Sequence, residues 1–369
     1  MASHDLKSVG ELFGFSKSGK FLDASPYGSG HINDTYIASY QQPDGKTLRY
    51  LHQRINHLIF KKPDELMDNI VRVTQHVTSE LKKAGKTDCE RRSLQVLLSE
   101  NGDCVVHDAD ENWWRTYLFI EDAETFDRVE TTDQAQRAAA AFGEFQSRVS
   151  NMEGARLHET IPNFHHTRSR FDALMRAAEA DSQGRLAGVE EEFRFAREHE
   201  AVVDVLLDLQ KAGELPERVT HNDTKLNNVM FDKQSGEAIC VVDLDTVMPG
   251  LVLYDFGDMV RTATSPSMED EKDLSKVSMQ MPMFEALVRG YLQTTNGFLT
   301  DAEKAQLAFS GKLISFEIGL RFLTDHLEGD VYFKTHRKGH NLDRCRTQFK
   351  LVQSIEEQED EMRRLVDRL

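Results

Sequence analysis

One segment, residues 218–245, constrains the fold of this chain more than any other. It opens with the polar stretch Thr-His-Asn-Asp-Thr-Lys-Leu-Asn-Asn, in which Asp223 lies two positions after His221 and five before Asn228. A short apolar run follows, then a turn, then a second β-prone run that ends on Asp243. Two such runs around a turn predict a hairpin preceded by a polar loop. Strands therefore hold these polar side chains in place.

This order of side chains suits phosphoryl transfer. The reaction needs a carboxylate that accepts the proton of the attacking hydroxyl, and oxygen ligands that hold Mg²⁺ against the phosphates of ATP. We predict that Asp223 is the base, that Asn228 and Asp243 bind the metal, and that His221 supports the loop. The H-x-D-x-x-x-x-N spacing is the catalytic-loop pattern of protein-kinase-like folds.

Two other interpretations of this segment stay open. His221 and Asp223 can form an ordinary turn pair, because Asp and Asn are common turn residues. Alternatively, four side chains can bind the metal ion of a metallohydrolase, namely His221, Asp223, Asp243 and Asp245. The second alternative leaves a glycine-rich turn near the N-terminus without a role.

That turn is Gly28-Ser29-Gly30, which lies between two β-prone stretches. Its small residues let backbone N–H groups approach phosphate oxygens, although an ordinary hairpin connector has a similar composition. The third β-prone stretch, residues 48–56, has Tyr50, His52 and Arg54 on one face. Arg54 lies where a nucleotide-binding lobe places the cation that pairs with phosphate. An exposed strand arginine is the alternative.

A helix is predicted from Pro63 onwards, because apolar residues recur on one face: Leu66, Ile70, Val73, Val77 and Leu81. Glu65 and Asp68 of this helix are the candidate partners of Arg54. Residues 94–107 predict a hairpin.

Residues 113–120 predict the last strand of the N-terminal part. It ends at Glu121 and Asp122, where a two-lobed kinase has its hinge, so their backbone groups are candidates to bind the adenine edge. After residue 130 helical spacing dominates, in the ranges 131–152, 171–180, 190–213, 283–295, 300–327 and 342–369. We predict an α+β, two-lobed protein-kinase-like fold. Its N-terminal nucleotide-binding lobe (1–122) is a small antiparallel sheet with one helix, and its C-terminal catalytic and substrate-binding lobe (123–369) is mainly helical.

Two further features of the C-terminal part are candidates for the site. Asp255 is expected to accept hydrogen bonds from the backbone of the catalytic loop, with a helix cap as the alternative. Glu317, Arg321 and Asp325 lie four apart on one helix face. Such a row is commonly a surface salt-bridge ladder, but its apolar surroundings and the nearby Tyr332 also suit a substrate-binding face.

Composition narrows the partners. The 369 residues carry a formal charge of −17, which argues against nucleic acid or an anionic membrane as the main partner. No stretch approaches 18 consecutive apolar residues, the N-terminus has no signal-peptide core, and the four cysteines are not spaced like metal ligands. We expect a cytoplasmic monomer or weak homodimer that binds a nucleotide and a small-molecule substrate.

Several segments resemble the aminoglycoside phosphotransferase (APH) superfamily, and within it the N-acetylhexosamine 1-kinases. The most specific are Thr-His-Asn-Asp-Thr-Lys-Leu-Asn-Asn-Val and Val-Val-Asp-Leu-Asp-Thr-Val-Met-Pro-Gly, both within residues 218–258. Gly-His-Ile-Asn-Asp-Thr at 30–35, Arg-Phe-Leu-Thr-Asp at 321–325 and Gly-Asp-Val-Tyr at 329–332 share the likeness. It therefore touches both predicted lobes.

The resemblance implies an APH-type fold and an ATP- and Mg²⁺-dependent kinase that phosphorylates the anomeric hydroxyl of N-acetylglucosamine or N-acetylgalactosamine. By position it makes Asp223 the base and Asn228 and Asp243 the metal ligands. Contacts to the sugar are implied for His31, Asp245, Arg321 and Tyr332. Arg54 stands where the family is expected to have lysine. The alternatives are kinases of the same fold for choline, methylthioribose, homoserine or aminoglycosides, or an inactive kinase-fold binding protein.

Overall fold

The computed structural model of the chain describes residues 4–28, 32–295 and 297–369. Three predicted site residues, Ser29, Gly30 and His31, lie outside this set. The chain forms two compact units that each combine three segments. The N-terminal unit comprises Met1–Glu124, Asn151–Pro162 and Met230–Met248, and the C-terminal unit comprises Thr125–Ser150, Asn163–Val229 and Pro249–Leu369.

Eleven strands are present in the described residues. They are β1 (Lys20–Pro26), β2 (Asp34–Gln41), β3 (Thr47–Arg54), β4 (Val96–Leu97), β5 (Val106–His107), β6 (Trp113–Leu118), β7 (Ala123–Glu124), β8 (Arg218–Thr220), β9 (Val229–Asp232), β10 (Ala238–Val241) and β11 (Met248–Gly250). The first six form an antiparallel sheet of order β1-β2-β3-β6-β4, with β5 also on β6. β9 and β10 form the predicted hairpin, and β7 extends it.

Fourteen α-helices are present in the same residues. They are α1 (Leu6–Leu12), α2 (Phe15–Ser18), α3 (Pro63–Lys83), α4 (Cys89–Arg92), α5 (Thr132–Val149), α6 (Thr167–Ala180), α7 (Glu190–Glu198), α8 (Val205–Lys211), α9 (Val252–Ala263), α10 (Met281–Thr295), α11 (Asp301–Ala305), α12 (Leu307–Glu328), α13 (His340–Glu356) and α14 (Glu359–Arg368). The predicted class, a small antiparallel sheet followed by a large helical part, is confirmed. No helix in the described ranges combines the length and apolar character needed to cross a membrane.

The two faces of the main sheet are different. One face packs on α1 and α2, which were not predicted, through an aromatic cluster of Leu6, Val9, Phe13, Phe15, Tyr36, Ala38, Tyr40, Tyr50 and Trp114. The other face meets α3, whose predicted apolar stripe is buried. Because side chains alternate along a strand, neighbouring residues of β3 and β6 belong to opposite faces.

The hairpin predicted for residues 94–107 was wrong. β4 lies opposite residues 116–117 of β6, and β5 lies opposite residues 113–114. Two-residue strands are too short to form a stable pair of their own, so both add end to end along one edge of β6.

The C-terminal unit is a set of packed helices. α12 packs on α13, α9 and α6, and α10 packs on α5. A Cβ added at Gly290 of α10 would lie 2.0 Å from the backbone oxygen of Gln136 in α5, so these two helices cross too closely for any other residue at that point. Helix α9 was not predicted because nearly all its residues are buried, which removes the polar face that helical periodicity depends on.

Candidate active site

The predicted catalytic loop follows β8 in the C-terminal unit and ends in a short 3₁₀ turn, Leu226–Asn228, directly before β9. His221 is fully buried at its start, with its ring against Phe142 and Phe145 of α5. Asn222 then adopts a left-handed conformation with φ of 65°. That conformation turns the chain sharply, so the next residue, Asp223, is partly exposed while its neighbours are buried.

Asp255 of α9 stabilises this loop through hydrogen bonds. Its carboxylate accepts the backbone N–H of His221 at 2.9 Å and that of Asn222 at 2.6 Å, and the side chain of Gln146 donates to it at 2.6 Å. Thr224 donates its hydroxyl to the Asp255 carbonyl at 2.6 Å. These are the contacts that the sequence predicted for Asp255, and they link the loop shape to α9.

Asp223 presents an accessible carboxylate, 27% exposed. Lys225 lies 2.7 Å from one of its oxygens, and the Asn228 side-chain amide donates to the other at 3.1 Å. Burial alone raises the pKa of Asp223, but the positive charge of Lys225, with smaller contributions from His221 and Arg261, lowers it below the ordinary value. The carboxylate is therefore ionised at neutral pH and can accept a proton.

Lys225 is a site residue that the sequence analysis missed. Its pKa is raised, chiefly by Asp223, so it stays protonated beside the predicted base. A basic residue two positions after the predicted base was the available signal, but only the folded loop shows that the two side chains meet.

Asn228 is buried, and the nitrogen and oxygen of its side-chain amide have different environments. Its amide nitrogen donates to the backbone oxygen of Asp223 at 2.8 Å and to the carboxylate. Its side-chain oxygen accepts no hydrogen bond from any residue that the structure describes. An anchored amide with an available oxygen suits a hard cation such as Mg²⁺.

Asp243 lies in the N-terminal unit, directly after β10, and is exposed. It has a left-handed backbone, φ 58° and ψ 60°, and precedes the 3₁₀ turn Leu244–Thr246. A carboxylate and an amide oxygen are the donor types that Mg²⁺ takes from proteins, so Asn228 and Asp243 fit the chemistry of that ion. Among the described residues no group of three or more His, Cys, Asp or Glu side chains could hold a metal.

Asp245 has a different environment from the one expected. It is buried, and Arg115 of β6 lies 2.5 Å from one of its carboxylate oxygens. Asn33 donates to the other oxygen at 2.6 Å. Both oxygens thus contact protein groups within the N-terminal unit. The sugar contact that the resemblance implies for Asp245 stays a prediction, as does its metal role in the metallohydrolase alternative.

Arg54 pairs with neither of its predicted partners. It lies opposite Asp34 in the β2–β3 register and donates to that carboxylate from Nε at 2.8 Å. Glu65 instead accepts from Lys62, and Asp68 accepts from its own helix neighbour, Arg72. The prediction failed because Arg54 shares a face with Trp114, its partner in β6, and that face is the one away from α3.

The predicted nucleotide-binding turn and hinge are described in part. Gly28 has φ of 80°, a conformation that favours glycine. The backbone oxygens of Glu121 and Asp122 accept from the guanidinium of Arg91 at 3.0 and 3.2 Å. Their contact with adenine, and that of the turn with phosphate, stay predictions.

The row Glu317, Arg321 and Asp325 of α12 does not form a salt-bridge ladder. Asp325 is buried and accepts the backbone N–H groups of residues 331–333 at 2.7 to 2.9 Å, so it fixes the loop that carries Tyr332. The guanidinium of Arg321 lies among three aromatic rings, 5.4 Å from the centroids of Phe164 and Phe333 and 5.8 Å from that of Tyr332. Its contact with the Tyr332 hydroxyl is 3.5 Å.

Glu317 connects α12 to the catalytic loop through His165, which sequence analysis missed. Nδ1 of His165 lies 2.8 Å from the Glu317 carboxylate, and Nε2 lies 3.1 Å from the backbone oxygen of Asn222. Both neighbours are acceptors, so both ring nitrogens donate and the imidazole is protonated. Burial opposes that charge, but Glu317 outweighs it and raises the pKa of His165.

Arg170 adds a second cation near Arg321. It donates to the backbone oxygens of Asn163 and Phe164 at 3.0 and 2.9 Å, while its buried Nε has no partner among the described residues. Burial lowers the pKa of Arg170, and the positive charge of Arg321 lowers it further. Neither arginine makes a salt bridge with a described residue.

Comparison with known proteins agrees with this architecture. Residues 23–273 match the model of the APH phosphotransferase enzyme family. The fold is similar to an aminoglycoside phosphotransferase of Alicyclobacillus acidocaldarius, with a TM-score of 0.60 and 12% identity over 100% of this chain and 98% of that one. A choline/ethanolamine kinase family protein of Mesorhizobium loti gives 0.56 and 15% over 98% and 99%, and a microcompartment-associated aminopropanol kinase gives 0.54 and 16% over 97% and 98%.

Proposed function

Because the chain belongs to the APH family of phosphotransferases, we propose that it phosphorylates the anomeric hydroxyl of an N-acetylhexosamine, N-acetylglucosamine or N-acetylgalactosamine. ATP is the phosphoryl donor, Mg²⁺ the metal ion, and the sugar 1-phosphate the product. Kinases of this fold use ATP, usually with a divalent metal. One similar structure, with 14% identity, is an amicoumacin kinase in complex with AMP-PNP and Ca²⁺.

Asp223 is the proposed base. An anomeric hydroxyl is more acidic than an ordinary alcohol, so an ionised carboxylate with a lowered pKa suffices to accept its proton. Most of the rate enhancement then comes from alignment of the reactants and from neutralisation of phosphate charge.

Asn228 and Asp243 are the proposed ligands of Mg²⁺. The ion, when bound, neutralises negative charge that develops on the transferred phosphoryl group. Asn228 is supported by its anchored amide and available oxygen, and Asp243 by its exposed position after β10.

One observation carries the choice of acceptor. Arg170 and Arg321 both contact Phe164, one through its backbone oxygen and the other over its ring, and neither forms a salt bridge with a described residue. The buried Glu317 carboxylate offsets part of their charge. Two cations still repel an ammonium group, so this surface favours a neutral, hydroxyl-rich acceptor over choline, aminopropanol or an aminoglycoside. Aromatic rings around Arg321 provide flat surfaces for the apolar face of a sugar.

An acceptor panel tests this choice. ADP release is measured with N-acetylglucosamine, N-acetylgalactosamine, choline, homoserine, methylthioribose and an aminoglycoside. Glucosamine serves as the matched control, because it keeps the ring and replaces the neutral acetamide with a charged amine. We expect kcat/KM for at least one N-acetylhexosamine to exceed that for glucosamine by about tenfold or more.

Two outcomes would contradict the proposal in different ways. A preference for an amine-bearing acceptor would refute the sugar and keep the kinase. If no acceptor causes metal-dependent ATP consumption, the N-acetylhexosamine proposal fails and the inactive kinase-fold binding protein becomes the favoured alternative.

A further inference from the structure

The N-terminal unit contains a buried cation to which the proposed reaction gives no role. Arg115 of β6 is 1% exposed. A buried guanidinium is unfavourable unless its donors are paired. Nε and Nη2 of Arg115 donate to the side-chain oxygen of Gln53 at 2.9 and 2.6 Å, and Nη2 lies 2.5 Å from Asp245.

Strand register determines which face of the sheet this cation occupies. Gln53 lies opposite Arg115 in the β3–β6 pair, and Arg54 lies opposite Trp114. Directly opposed residues share a face, so Arg54 belongs to the face of the aromatic cluster. Arg115 belongs to the α3 face, where its Nη1 lies 3.9 Å from the sulfur of Met67. It is therefore Arg115, not Arg54, that faces α3 and the turn after β10.

Several contacts hold that turn against the N-terminal unit. Besides Arg115, Asn33 binds the Asp245 carboxylate, and the hydroxyl of Thr160 donates to the Asp245 backbone oxygen at 3.1 Å. Asn69 of α3 donates to the backbone oxygen of Val247 at 3.0 Å. Asp245 is thus fixed through its side chain and its backbone.

Asp243 lies two residues before this anchor in a left-handed conformation. Asp tolerates this conformation better than most residues other than glycine. Because Asp243 is continuous with the anchored turn, the contacts that hold the turn help to set the position of its carboxylate, and Arg115–Asp245 is a charged contact among them.

We propose that Arg115 is a positioning residue for metal-nucleotide binding: through Asp245 it holds the turn that presents Asp243 to the metal ion. The inference rests on the proposed function, because it takes Asp243 as a metal ligand. The α3 face of the sheet thus has a cation, Arg115 of β6. Arg54, the last residue of β3, lies on the opposite face.

The test measures binding rather than turnover. Full-length Arg115→Met is titrated with AMP-PNP by calorimetry, with Mg²⁺ and with EDTA. Loss of a group that orients a metal ligand typically weakens metal affinity by about 10- to 100-fold. We expect a loss of that size in the Mg²⁺ titration only, with the metal-free affinity unchanged within about twofold.

Arg92→Met is the matched control. Arg92 is an arginine of the same unit that pairs with Asp88 and Glu237, at 2.9 and 2.8 Å, and has no contact with the turn. Asp245→Asn preserves shape and removes the charge, so it tests the same contact if Arg115→Met does not fold. Because both act through one contact, Arg115→Met/Asp245→Asn should lose no more Mg²⁺-dependent affinity than Arg115→Met alone.

The outcomes separate this inference from the proposed function. Wild-type Mg²⁺-dependent affinity in folded Arg115→Met or Asp245→Asn would overturn the inference, as would an equal loss with and without metal. If Asp243→Ala binds AMP-PNP with the wild-type response to Mg²⁺, the metal assignment of the proposed function fails instead.

Discussion

At the scale of single residues, the candidate base is defined by its immediate neighbours. Lys225 and Asn228 contact different oxygens of Asp223, and both are within five positions of it in the sequence. Spacing therefore sufficed to place Asp223 and Asn228 in one loop, where they are in contact, and their roles as base and metal ligand stay predictions. Spacing could not predict the Lys225 contact, because that depends on the left-handed turn at Asn222.

Replacing Asp223 with Asn should remove the proton acceptor while preserving shape. A general base typically contributes about 10²- to 10⁴-fold to a rate, so kcat should fall by roughly that factor while the affinity for AMP-PNP stays near the wild-type value. Steady-state kinetics and calorimetry check the two parts. Wild-type turnover in folded Asp223→Asn would refute the base assignment.

Replacing Lys225 with Met should move the acid limb of the pH–rate profile. Burial raises the pKa of Asp223 and Lys225 is the main group that lowers it, so its removal raises that pKa. Activity should then be lost at a higher pH than in the wild type as the solution is acidified. The measurement is kcat/KM against pH; a limb that stays in place or moves to lower pH would contradict the assignment.

At the scale of elements, the sequence-based predictions failed where they had to say which neighbouring element a strand or helix face packs against. Alternation correctly grouped Tyr50, His52 and Arg54 of β3, but it cannot tell which face packs on α3. Arg115 lies in the strand Trp-Trp-Arg-Thr-Tyr-Leu. A lone arginine in a strand is usually interpreted as solvent-exposed. The mainly apolar residues around Arg115 were the available signal that it is instead buried and paired. In α12, helical spacing placed three charged residues on one face, yet each has partners from other segments.

Replacing Glu317 with Gln tests the coupling of α12 to the catalytic loop. The pKa of His165 is raised above 6.5 and that of Glu317 is lowered below 4.5. The Glu317 contribution to stability is lost as pH falls below its usual pKa, and the His165 contribution is lost as pH rises through the raised pKa. The pair therefore stabilises the fold most between the ordinary pKa values of the two groups, 4.5 for Glu317 and 6.5 for His165.

We expect Glu317→Gln to lower the free energy of unfolding by about 3 kcal/mol or more near pH 6, as for a broken buried ion pair. The difference from wild type should shrink as the pH rises through the raised pKa of His165, because the imidazole then loses its charge. Urea unfolding of both proteins over a pH series from 6 upward measures it. No difference near pH 6 would contradict the charged pair.

At the scale of the whole molecule, the chain is an APH-family phosphotransferase of two compact units. The predicted lobes, 1–122 and 123–369, divide the chain at one point, whereas the N-terminal unit also takes residues 151–162 and 230–248. Local sequence patterns cannot reveal that a unit includes segments from later in the chain, because contacts between residues far apart in the sequence determine this. The lobe boundary and the sugar contacts of His31, Asp245, Arg321 and Tyr332 stay predictions.

The position of the phosphate in the product tests the central claim most directly. The protein is incubated with ATP, Mg²⁺ and either N-acetylglucosamine or N-acetylgalactosamine, and the product is analysed by proton–phosphorus correlation NMR. The account predicts a cross-peak between phosphorus and the anomeric proton of at least one sugar, and about 10²-fold or more slower growth of that peak with Asp223→Asn. A phosphate on any other carbon, or no phosphorylated sugar from either acceptor, would contradict it.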